Sequence, residues 1–520
     1  MARHNTTTLR TTGLGPVTST GLSGATYEGA PGYGRHPKSE LFLAAVSSLN
    51  EDTFYESSTD LMARIRPLIA AVAVQDGPWV LGFVAWLRVT AKLRSIPLAI
   101  AAEAVHARLD AGVVGLNRAL VSAAILRADE PAEFLAYWRG TFGRTTPAPV
   151  KRGLSDALER TLSERSWLKW RGKGERGGMS LADVVNIVHP HPADEHRAAL
   201  FGAILAHSYG RPVESLGLLP VVAARQEFLG LDAGAQRSFA LGPDAPVRLA
   251  AAGLGHEALA GALGRLDSAV WESLIPGMGY QALLMNLRRI HEAGVSRKTV
   301  KAIKSRLSDP AEVARSRMYP IRFLSAFRNA PLEYAGALEN AANLTLGNIP
   351  ELPGRTLVLV DRSGSMWSRL SARGELLRVD AANMFGAALA LKAERADLVA
   401  FGTDSRKIPF RRGTSLLRLA DQSESLGGTE TRKAVERHYR GHNRVIVITD
   451  EQAGWQGTTD VFSGTVPENV PAFTWNLAGY RHGHAPEGPN RYTFGGLSDA
   501  GFDLIPLLER GLSAGWPWDA

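Results

Sequence analysis

The chain of 520 residues contains no cysteine. Disulfide frameworks, zinc ribbons, thiol nucleophiles and iron–sulfur clusters held by thiolates are therefore excluded. Any bound metal ion would need oxygen or imidazole ligands. Long hydrophobic runs are also missing, since the most apolar stretch, residues 67–87, is interrupted by Gln75, Asp76, Gly77 and Pro78. That stretch is too broken for a membrane span of roughly 20 apolar residues.

Neither sign of charge is in large excess, with 59 Lys and Arg against 51 Asp and Glu, a net charge of +8. Together with 45% apolar residues, this is the composition of a globular protein and excludes long disorder. Residues 1–34 are rich in Thr, Gly and Ser and lack the apolar segment of a signal peptide. We predict a flexible N-terminal segment there and a soluble, cytoplasmic protein.

The sequence of residues 35–349 has a helical pattern. Apolar residues recur every three to four positions, as in Leu61, Ile65, Leu68, Ile69 and Val72. Short breaks containing Gly, Pro or Asp separate the helical segments. The pattern is typical of helix pairs that bury their apolar faces on one another in a repeat array. Because no fixed period is visible, an irregular all-α domain is the alternative.

The pattern changes to that of an α/β domain over residues 350–520. Short apolar runs at 355–361, 397–402, 444–450 and 471–477 alternate with helical patterns at 375–395, 430–440 and 500–510. This alternation predicts a doubly wound parallel sheet covered by helices on both faces. Two of the runs end at Asp361 and Asp450. Ligands bind outside the carboxyl ends of strands in such sheets, so both carboxylates are candidates for a site.

Oxygen-bearing side chains cluster after the first of these strands. Asp361, Ser363 and Ser365 occupy alternate positions, Thr429 follows two glycines, and Asp450 ends a later strand. Mg²⁺ prefers oxygen ligands and keeps some of its waters. Two carboxylates and three neutral hydroxyls would leave the ion electrophilic, with a position open to an outside anion. The alternative is a degenerate domain in which Asp361 and the serines only cap the following helix.

Enzyme interpretations of the same residues are weaker. A phosphatase with an aspartyl nucleophile usually has a second Asp two positions on, where this chain has Ser363. The GxSxG letters at 511–515 follow a helical pattern rather than a strand, which is the wrong context for a nucleophile elbow. We therefore expect no enzymatic activity.

Positive charge is concentrated in the helical half. Residues 139–178 contain 10 basic and 4 acidic residues, and residues 288–328 contain 11 basic and 3 acidic residues. Clustered Lys and Arg with interleaved aromatics such as Trp167 and Trp170 are typical of nucleic-acid binding. A solvated charged face is the alternative, and the two tryptophans fit a helix core better than a stacking platform.

Histidines are poor candidates for a metal site. His189, His191 and His196 stand near one another in the sequence, but the prolines at 190 and 192 hold this segment extended, which does not favour a common ligand position. His482 and His484 lie in a Gly- and Pro-rich loop, where we expect them to be exposed.

The second half resembles a von Willebrand factor A domain with its metal-ion-dependent adhesion site (MIDAS). The resemblance consists of DRSGS at 361–365, GGT at 427–429 and Asp450, in the correct order after strands. It implies that Ser363 and Ser365 bind the cation directly, and that Asp361, Thr429 and Asp450 bind it directly or through water.

The whole chain resembles the TROVE-domain proteins, the family of the Ro autoantigen and its bacterial orthologues. The similar segments are RSIPL at 94–98, KWR at 169–171, MSLADVV at 179–185, ALLMNLR at 282–288, SRMYPI at 316–321 and LVDRSGSM at 359–366. Two positions depart from the family pattern: Ala182 stands where Lys is frequent, and Tyr319 stands where His is frequent.

This resemblance implies a ring of HEAT-like helical repeats with a positive central hole, closed by the A domain. It implies binding of small noncoding Y RNAs, threading of single-stranded 3′ ends of misfolded RNAs, and an exonuclease partner such as polynucleotide phosphorylase. We expect a ribonucleoprotein with one protein subunit. The candidate RNA-binding residues are Arg144, Lys151, Arg152, Lys169, Arg171, Arg176, Asp183, His189, Arg288, Arg315 and Arg317.

Two functions therefore remain open. The first is a non-enzymatic RNA-binding scaffold in RNA quality control and the stress response, with Mg²⁺ or another divalent cation at the A-domain site. The second is a protein-interaction module in which the A domain binds a partner through Mg²⁺ and the helical half acts as a spacer.

Overall fold

A computed structural model describes residues 15–47, 56–172, 178–316, 318, 320–370, 375–421, 424–453, 460–496, 501–502, 504–509 and 515–519. A β-hairpin is followed by a long helical part and then by a six-stranded sheet with flanking helices. The predicted order of a helical repeat half and an α/β half is confirmed.

The described part of the N-terminal segment is a β-hairpin of strands β1 (Ser19–Ala25) and β2 (Pro31–Arg35). The prediction of a flexible segment up to residue 34 is therefore wrong for this hairpin. Its second strand is buried, and Tyr33 exchanges two backbone hydrogen bonds with Gly483, at 3.0 and 3.1 Å. The hairpin is held by this contact with the loop at Gly483, which the composition of residues 1–34 does not reveal.

Twenty-one α-helices are described in the helical part. The first eleven are α1 (Pro37–Val46), α2 (Ser58–Gln75), α3 (Gly77–Val89), α4 (Ser95–Asp110), α5 (Asn117–Ala124), α6 (Glu130–Phe142), α7 (Ala148–Thr161), α8 (Glu164–Trp170), α9 (Leu181–Val188), α10 (Glu195–Ser208) and α11 (Pro220–Gly230). The next ten are α12 (Ala233–Phe239), α13 (Ala245–Ala251), α14 (His256–Leu263), α15 (Ser268–Leu274), α16 (Tyr280–Met285), α17 (Leu287–Glu292), α18 (Arg297–Leu307), α19 (Pro310–Ser316), α20 (Pro320–Asn329) and α21 (Ala335–Thr345).

Alternate helices pack together in the first half, as α2 does with α4 and α5 does with α7. Side-chain caps start many of them. Ser57, Ser163 and Asp194 each accept a backbone hydrogen bond from the first turn of the next helix. These short polar residues start a new helix at each of these points, which keeps the helices short.

The α/β domain contains strands β3 (Leu352–Asp361), β4 (Ala393–Phe401), β5 (Ser405–Lys407), β6 (Arg444–Thr449), β7 (Ala472–Asn476) and β8 (Arg491–Gly495). Its helices are α22 (Arg378–Lys392), α23 (Leu416–Ala420), α24 (Thr431–His438) and α25 (Leu504–Glu509). The strand order is β5-β4-β3-β6-β7-β8, and every pairing is parallel except β4 with β5.

Strand β3 is buried on both faces because its apolar side chains alternate. Val358 and Val360 belong to the core on the α22 side, whereas Leu357 and Leu359 belong to the core on the α24 side. A continuous apolar run is what a central parallel strand requires, and this explains why β3 is evident in the sequence.

The sheet domain contacts both ends of the helical part. At one end, Arg328 of α20 forms ion pairs with Asp380 (2.8 Å) and Asp421 (2.7 Å). At the other end, the Ser47 hydroxyl donates to the Asn476 carbonyl (3.2 Å), and Arg64 of α2 donates to the Gly479 carbonyl (3.0 Å). The sheet domain thereby joins the first and last helices.

An aromatic cluster strengthens the junction with the first helices. Residues 515–519 lie against α1 and α3, where the Trp518 ring is 5.1 Å from that of Phe83 and 5.2 Å from that of Trp79. Trp516 lies 5.1 Å from Trp79, edge to face. A Cβ atom on Gly82 would collide with the Trp518 ring, so glycine is needed there to let the indole approach α3.

No helix in the described ranges combines the length and the hydrophobicity that a bilayer crossing needs.

Candidate functional site

The carboxyl ends of β3 and β6 form the candidate metal site. Strand β3 lies at the point where the chain switches direction across the sheet, with β4 on one side and β6 on the other. Loops leaving such a switch point diverge and open a crevice. Asp361 ends β3 and Asp450 follows β6 directly, so the topology brings the two carboxylates together as predicted.

Local hydrogen bonds fix the first three candidate ligands. The Asp361 carboxylate accepts from the Ser363 amide (2.8 Å) and from the Thr449 hydroxyl (2.6 Å). Ser365 lies in a short 3₁₀ turn at Gly364–Trp367, which places its hydroxyl oxygen 3.3 Å from that of Ser363. All three candidate ligands are buried.

The loop carrying Thr429 is tied to the other two loops by its backbone. The Gly364 amide donates to the Gly427 carbonyl (2.8 Å), and the Glu430 amide donates to the Gly402 carbonyl (3.0 Å). Gly427 has φ 82°, a left-handed conformation that favours glycine. Thr429 itself is buried. The two glycines thus form a defined turn that carries the threonine to the same end of the sheet.

Asp450 is fully buried, and its two oxygens differ in their partners. One oxygen, Oδ1, accepts from the Gln452 amide (3.2 Å). The other, Oδ2, is buried and has no hydrogen-bond partner of normal geometry in the part of the chain that the structure describes. A buried carboxylate oxygen without a partner is costly, and a cation would stabilise it.

The electrostatics of the pair also favour a cation. Burial, followed by the charge of Asp450, raises the pKa of Asp361 to about 7. Burial raises the pKa of Asp450 too, while the nearby Ser365 hydroxyl, the Gln452 amide and, to a smaller extent, the buried guanidinium of Arg378 act in the opposite direction. Two carboxylates in one dry site repel each other, and a divalent ion between them would remove that repulsion.

The donor set fits a hard cation. Carboxylate and hydroxyl oxygens suit Mg²⁺ or Mn²⁺ and not a soft transition metal. No group of three or more His, Asp and Glu side chains suited to a metal occurs among the described residues. The candidate site has only two carboxylates, so cation binding there would depend on the three hydroxyl oxygens as well. The cation itself stays a prediction.

A second candidate site is a partly open cavity of about 910 Å³. It lies between the α3–α4 loop, helices α14, α16, α17 and α20, and the sheet-domain residues Leu370, Glu375 and Leu376. Four basic side chains line it: Lys92, Arg288, Arg289 and Arg322. Three acidic ones do so as well: Glu257, Glu292 and Glu375. The lining is therefore mixed, with a small basic excess.

The predicted RNA-binding residues do not form one cluster. Arg288 lines the cavity, where it pairs with Glu292 at 2.9 Å. Arg144 and Arg152 are exposed around the start of α7, and the neighbouring Lys151 is half-buried. Lys169 is exposed on α8, with its ammonium 4.9 Å from the centre of the Trp170 ring. Of the two tryptophans, Trp167 is buried in the core as expected, and Trp170 is half-buried.

Arg171 lies in a smaller basic pocket that the sequence did not indicate. This pocket of about 220 Å³ is also lined by Arg225 of α11 and by Arg211 of the loop before α11. Burial, with the nearby charge of Arg171, lowers the pKa of Arg225 to about 10. The three arginines come from segments too far apart in the chain for a local sequence pattern to group them.

Several predicted residues have structural roles or lie outside the described ranges. Asp183 accepts hydrogen bonds from the amide (2.8 Å) and hydroxyl (2.6 Å) of Ser180, so it caps α9. His189 is exposed at the end of α9, with φ 49°. Arg315 forms an ion pair with Glu312 at 2.8 Å. Arg176 and Arg317 lie outside the described residues, as does Tyr319.

Two further expectations need comment. Ala182 is buried in α9, so the position where the family often has Lys forms part of the core in this chain. The prediction that His484 is exposed is wrong: His484 is buried, and burial lowers its pKa to about 4. The loop folds back under Phe462, whose ring lies edge to face with the imidazole at 6.3 Å.

Comparison with known families identifies part of the helical half. Residues 263–332 match the TROVE domain family. The matched TROVE segment spans α15 to α20 and includes three of the four basic residues that line the large cavity, Arg288, Arg289 and Arg322. The resemblance to TROVE-domain proteins is thereby confirmed.

A solved structure has the same fold. The crystal structure of the Deinococcus radiodurans RO (RSR) protein aligns with 92% of this chain and 100% of that chain, with a TM-score of 0.63 and 20% sequence identity. A search of curated proteins finds no match. The TROVE segment therefore lies within a fold shared with a Ro protein over nearly the whole chain.

Proposed function

We propose that this protein is a non-enzymatic RNA-binding scaffold. It holds small noncoding Y-like RNAs and the single-stranded 3′ ends of misfolded RNAs, and it acts in cytoplasmic RNA quality control and the stress response. The observation that carries the proposal is the large cavity, which is bounded by the α3–α4 loop, late helices and the sheet domain and lined by four basic and three acidic residues.

The cavity supports single-stranded RNA more than duplex RNA. Guanidinium and ammonium groups neutralise phosphates, and a bounded site selects an unpaired strand by shape. The acidic residues in the lining moderate the attraction, and the pairing of Arg288 with Glu292 has to be exchanged for phosphate contacts. Binding of an RNA end should therefore be of moderate strength and reversible.

The metal site adds a second binding function. Asp361, Ser363, Ser365, Thr429 and Asp450 would hold Mg²⁺, and the ion would supply a Lewis-acidic position for an acidic group. Because the site lies on the sheet domain and the cavity is lined mainly by the helical part, one protein can hold RNA and a protein partner together. An exonuclease such as polynucleotide phosphorylase is the kind of partner we expect.

RNA binding can be tested with fluorescently labelled RNAs. A hairpin with a single-stranded 3′ tail should bind more tightly than the same hairpin with a blunt end, and its affinity should fall steeply as salt rises. Replacing both Arg288 and Arg322 with Gln should weaken binding of the tail. Lys433→Gln, on the sheet domain, is the matched control. Equal affinity for both RNAs, or no response to salt, would contradict the proposal.

A protein-interaction module is the second candidate, because the metal site is the more completely built of the two. In that case the helical half carries no RNA. Pull-down from the native cell with and without nuclease distinguishes the two candidates. Complexes that resist nuclease, depend on Mg²⁺ and contain no RNA would favour the second, whereas copurifying RNA would favour the first.

A further inference from the structure

The residue after Asp450 has a strained backbone. Glu451 has φ 64°, in the left-handed region that residues with side chains rarely adopt. Such a conformation persists where the surrounding contacts hold it, and it is frequent at functional sites. Here the Glu451 conformation sets the direction in which the chain leaves β6, and therefore the position of the Asp450 carboxylate beside Asp361.

Arg35, the last residue of the N-terminal hairpin, holds Glu451 in place. Its Nη2 atom donates to both carboxylate oxygens of Glu451, at 2.9 and 2.8 Å. Its Nε atom donates to Glu487 at 3.2 Å. The exposed fraction of the side chain is 1% for Arg35 and 0% for Glu451, so this ion pair is shielded from solvent. The Asn476 side-chain amide also donates to Glu451.

Gly483 makes room for this ion pair. A Cβ atom at position 483 would lie 2.6 Å from Oε1 of Glu451 and even closer to the Arg35 guanidinium. Gly483 also pairs with Tyr33 of the hairpin through two backbone hydrogen bonds. An alanine at this position would therefore displace the ion pair without removing any charge.

The tip of the hairpin holds the next residue along the chain. The Tyr27 amide donates to the Gln452 side chain (2.7 Å), and the Gln452 amide donates to Oδ1 of Asp450 (3.2 Å). The Thr26 hydroxyl donates to the Ala453 carbonyl (2.8 Å). The hairpin thus contacts each of the three residues that follow Asp450.

From these contacts we infer that Arg35 is a positioning residue of the metal site, and that cation binding is coupled to docking of the N-terminal hairpin on the sheet domain. The inference rests on the metal site of the proposed function. Arg35 does not touch the ion. It holds Glu451 in the conformation that aims Asp450 at the cation. Coupling between two binding events is reciprocal, so the cation should also tighten the hairpin.

Metal affinity of the full chain is the first measurement. Mn²⁺ is titrated calorimetrically as a probe for the Mg²⁺ site, with Asp361→Asn to define binding at that site. Loss of a residue that orients a ligand typically weakens metal binding about 10- to 100-fold, and we expect a loss in that range for Arg35→Met. Gly483→Ala should show a loss in the same direction.

Arg88→Met is the matched control. Arg88 is also a buried arginine in an ion pair, with Glu130 at 2.6 Å, but that pair joins α3 to α6. Its loss should lower the unfolding temperature and leave Mn²⁺ affinity unchanged. Hydrogen exchange supplies the reciprocal test: Mn²⁺ should slow exchange of the amides at 32–35 in the natural chain and not in Asp361→Asn.

The outcomes separate the two proposals. If the natural chain does not bind Mn²⁺, or Asp361→Asn binds it equally well, the metal site fails and the inference fails with it. If the natural chain binds but Arg35→Met and Gly483→Ala bind equally tightly, only the positioning role is overturned. An equal loss of affinity in Arg35→Met and Arg88→Met would also overturn it, since general destabilisation would explain both.

Discussion

The aromatic junction between residues 515–519 and α3 predicts a local loss of stability when Trp518 is replaced with Ala. The Trp518 ring contacts Phe83 and Trp79 at 5.1 and 5.2 Å between centroids, and Trp86 at 5.9 Å. Replacing a completely buried Trp with Ala lowers the free energy of unfolding by about 3–5 kcal/mol. Each aromatic pair adds about 0.5–1.5 kcal/mol to the stabilisation that comes from burial alone. Trp518 is only half-buried, and its indole Nε1 atom has no hydrogen-bond partner among the described residues.

We therefore expect Trp518→Ala to cost about 2–3 kcal/mol at this junction, below the value for a fully buried tryptophan. Amide hydrogen exchange in α3 is the direct assay, because it reports opening of one region without requiring the whole chain to unfold in one step. Exchange of protected amides at 77–89 should accelerate roughly 30- to 150-fold, the factor that corresponds to 2–3 kcal/mol.

Trp170→Ala is the control, since Trp170 is also half-buried but lies on α8. It should leave exchange in α3 unchanged. If Trp518→Ala leaves exchange at 77–89 within about threefold of the natural chain, the junction depends on other contacts and the reasoning is refuted.

Three further predictions follow from buried charges. Because burial raises the pKa of Asp361 to about 7, above its unfolded value, the metal-free protein should lose stability as pH rises from about 4 to about 7. The unfolding temperature should be measured at pH 5 and at pH 8, each in EDTA and in Mg²⁺. The rise in unfolding temperature caused by Mg²⁺ should be larger at pH 8 than at pH 5. Asp361→Asn should raise the unfolding temperature in EDTA at pH 8 and abolish the effect of Mg²⁺; a retained Mg²⁺ effect would place the ion elsewhere. Arg88→Ala should cost less than the roughly 3–5 kcal/mol of a fully broken buried pair, because Glu130 keeps an ion pair with Arg94 (3.5 Å) and hydrogen bonds from the amides of Leu126 (2.8 Å) and Arg127 (3.0 Å); an unchanged denaturation midpoint would show that Arg88 contributes nothing to stability.

The central strands and the metal-site carboxylates could be predicted because their signals are local. A buried parallel strand is a continuous apolar run, and an Asp at its end marks the ligand-binding edge of the sheet. Strand β8, with the sequence RYTFG, was missed because its run is short and partly polar. Strand β5 has only three residues, two of them charged, and it carries no apolar signal.

The hairpin, the aromatic junction and the small arginine pocket could not be predicted, because each depends on partners far away in the chain. Arg35 is 416 residues from Glu451, and nothing around either residue indicates the other. The charge runs also do not indicate how their side chains are distributed in space: these are divided between a cavity, a pocket and exposed helix faces.

The boundary between the two largest apolar cores does not coincide with the boundary between the helical part and the sheet domain. One core covers residues from Val17 to Val222, whereas another runs from Phe228 through the later helices into the α22 side of the sheet. Truncating the protein at residue 349 would therefore cut through a single core and expose apolar, aggregation-prone surfaces on both fragments. The two cores meet within α11, but a cut there would leave the first core attached to the sheet domain through the hairpin and residues 515–519, so the chain has no single point at which it divides into two independent parts.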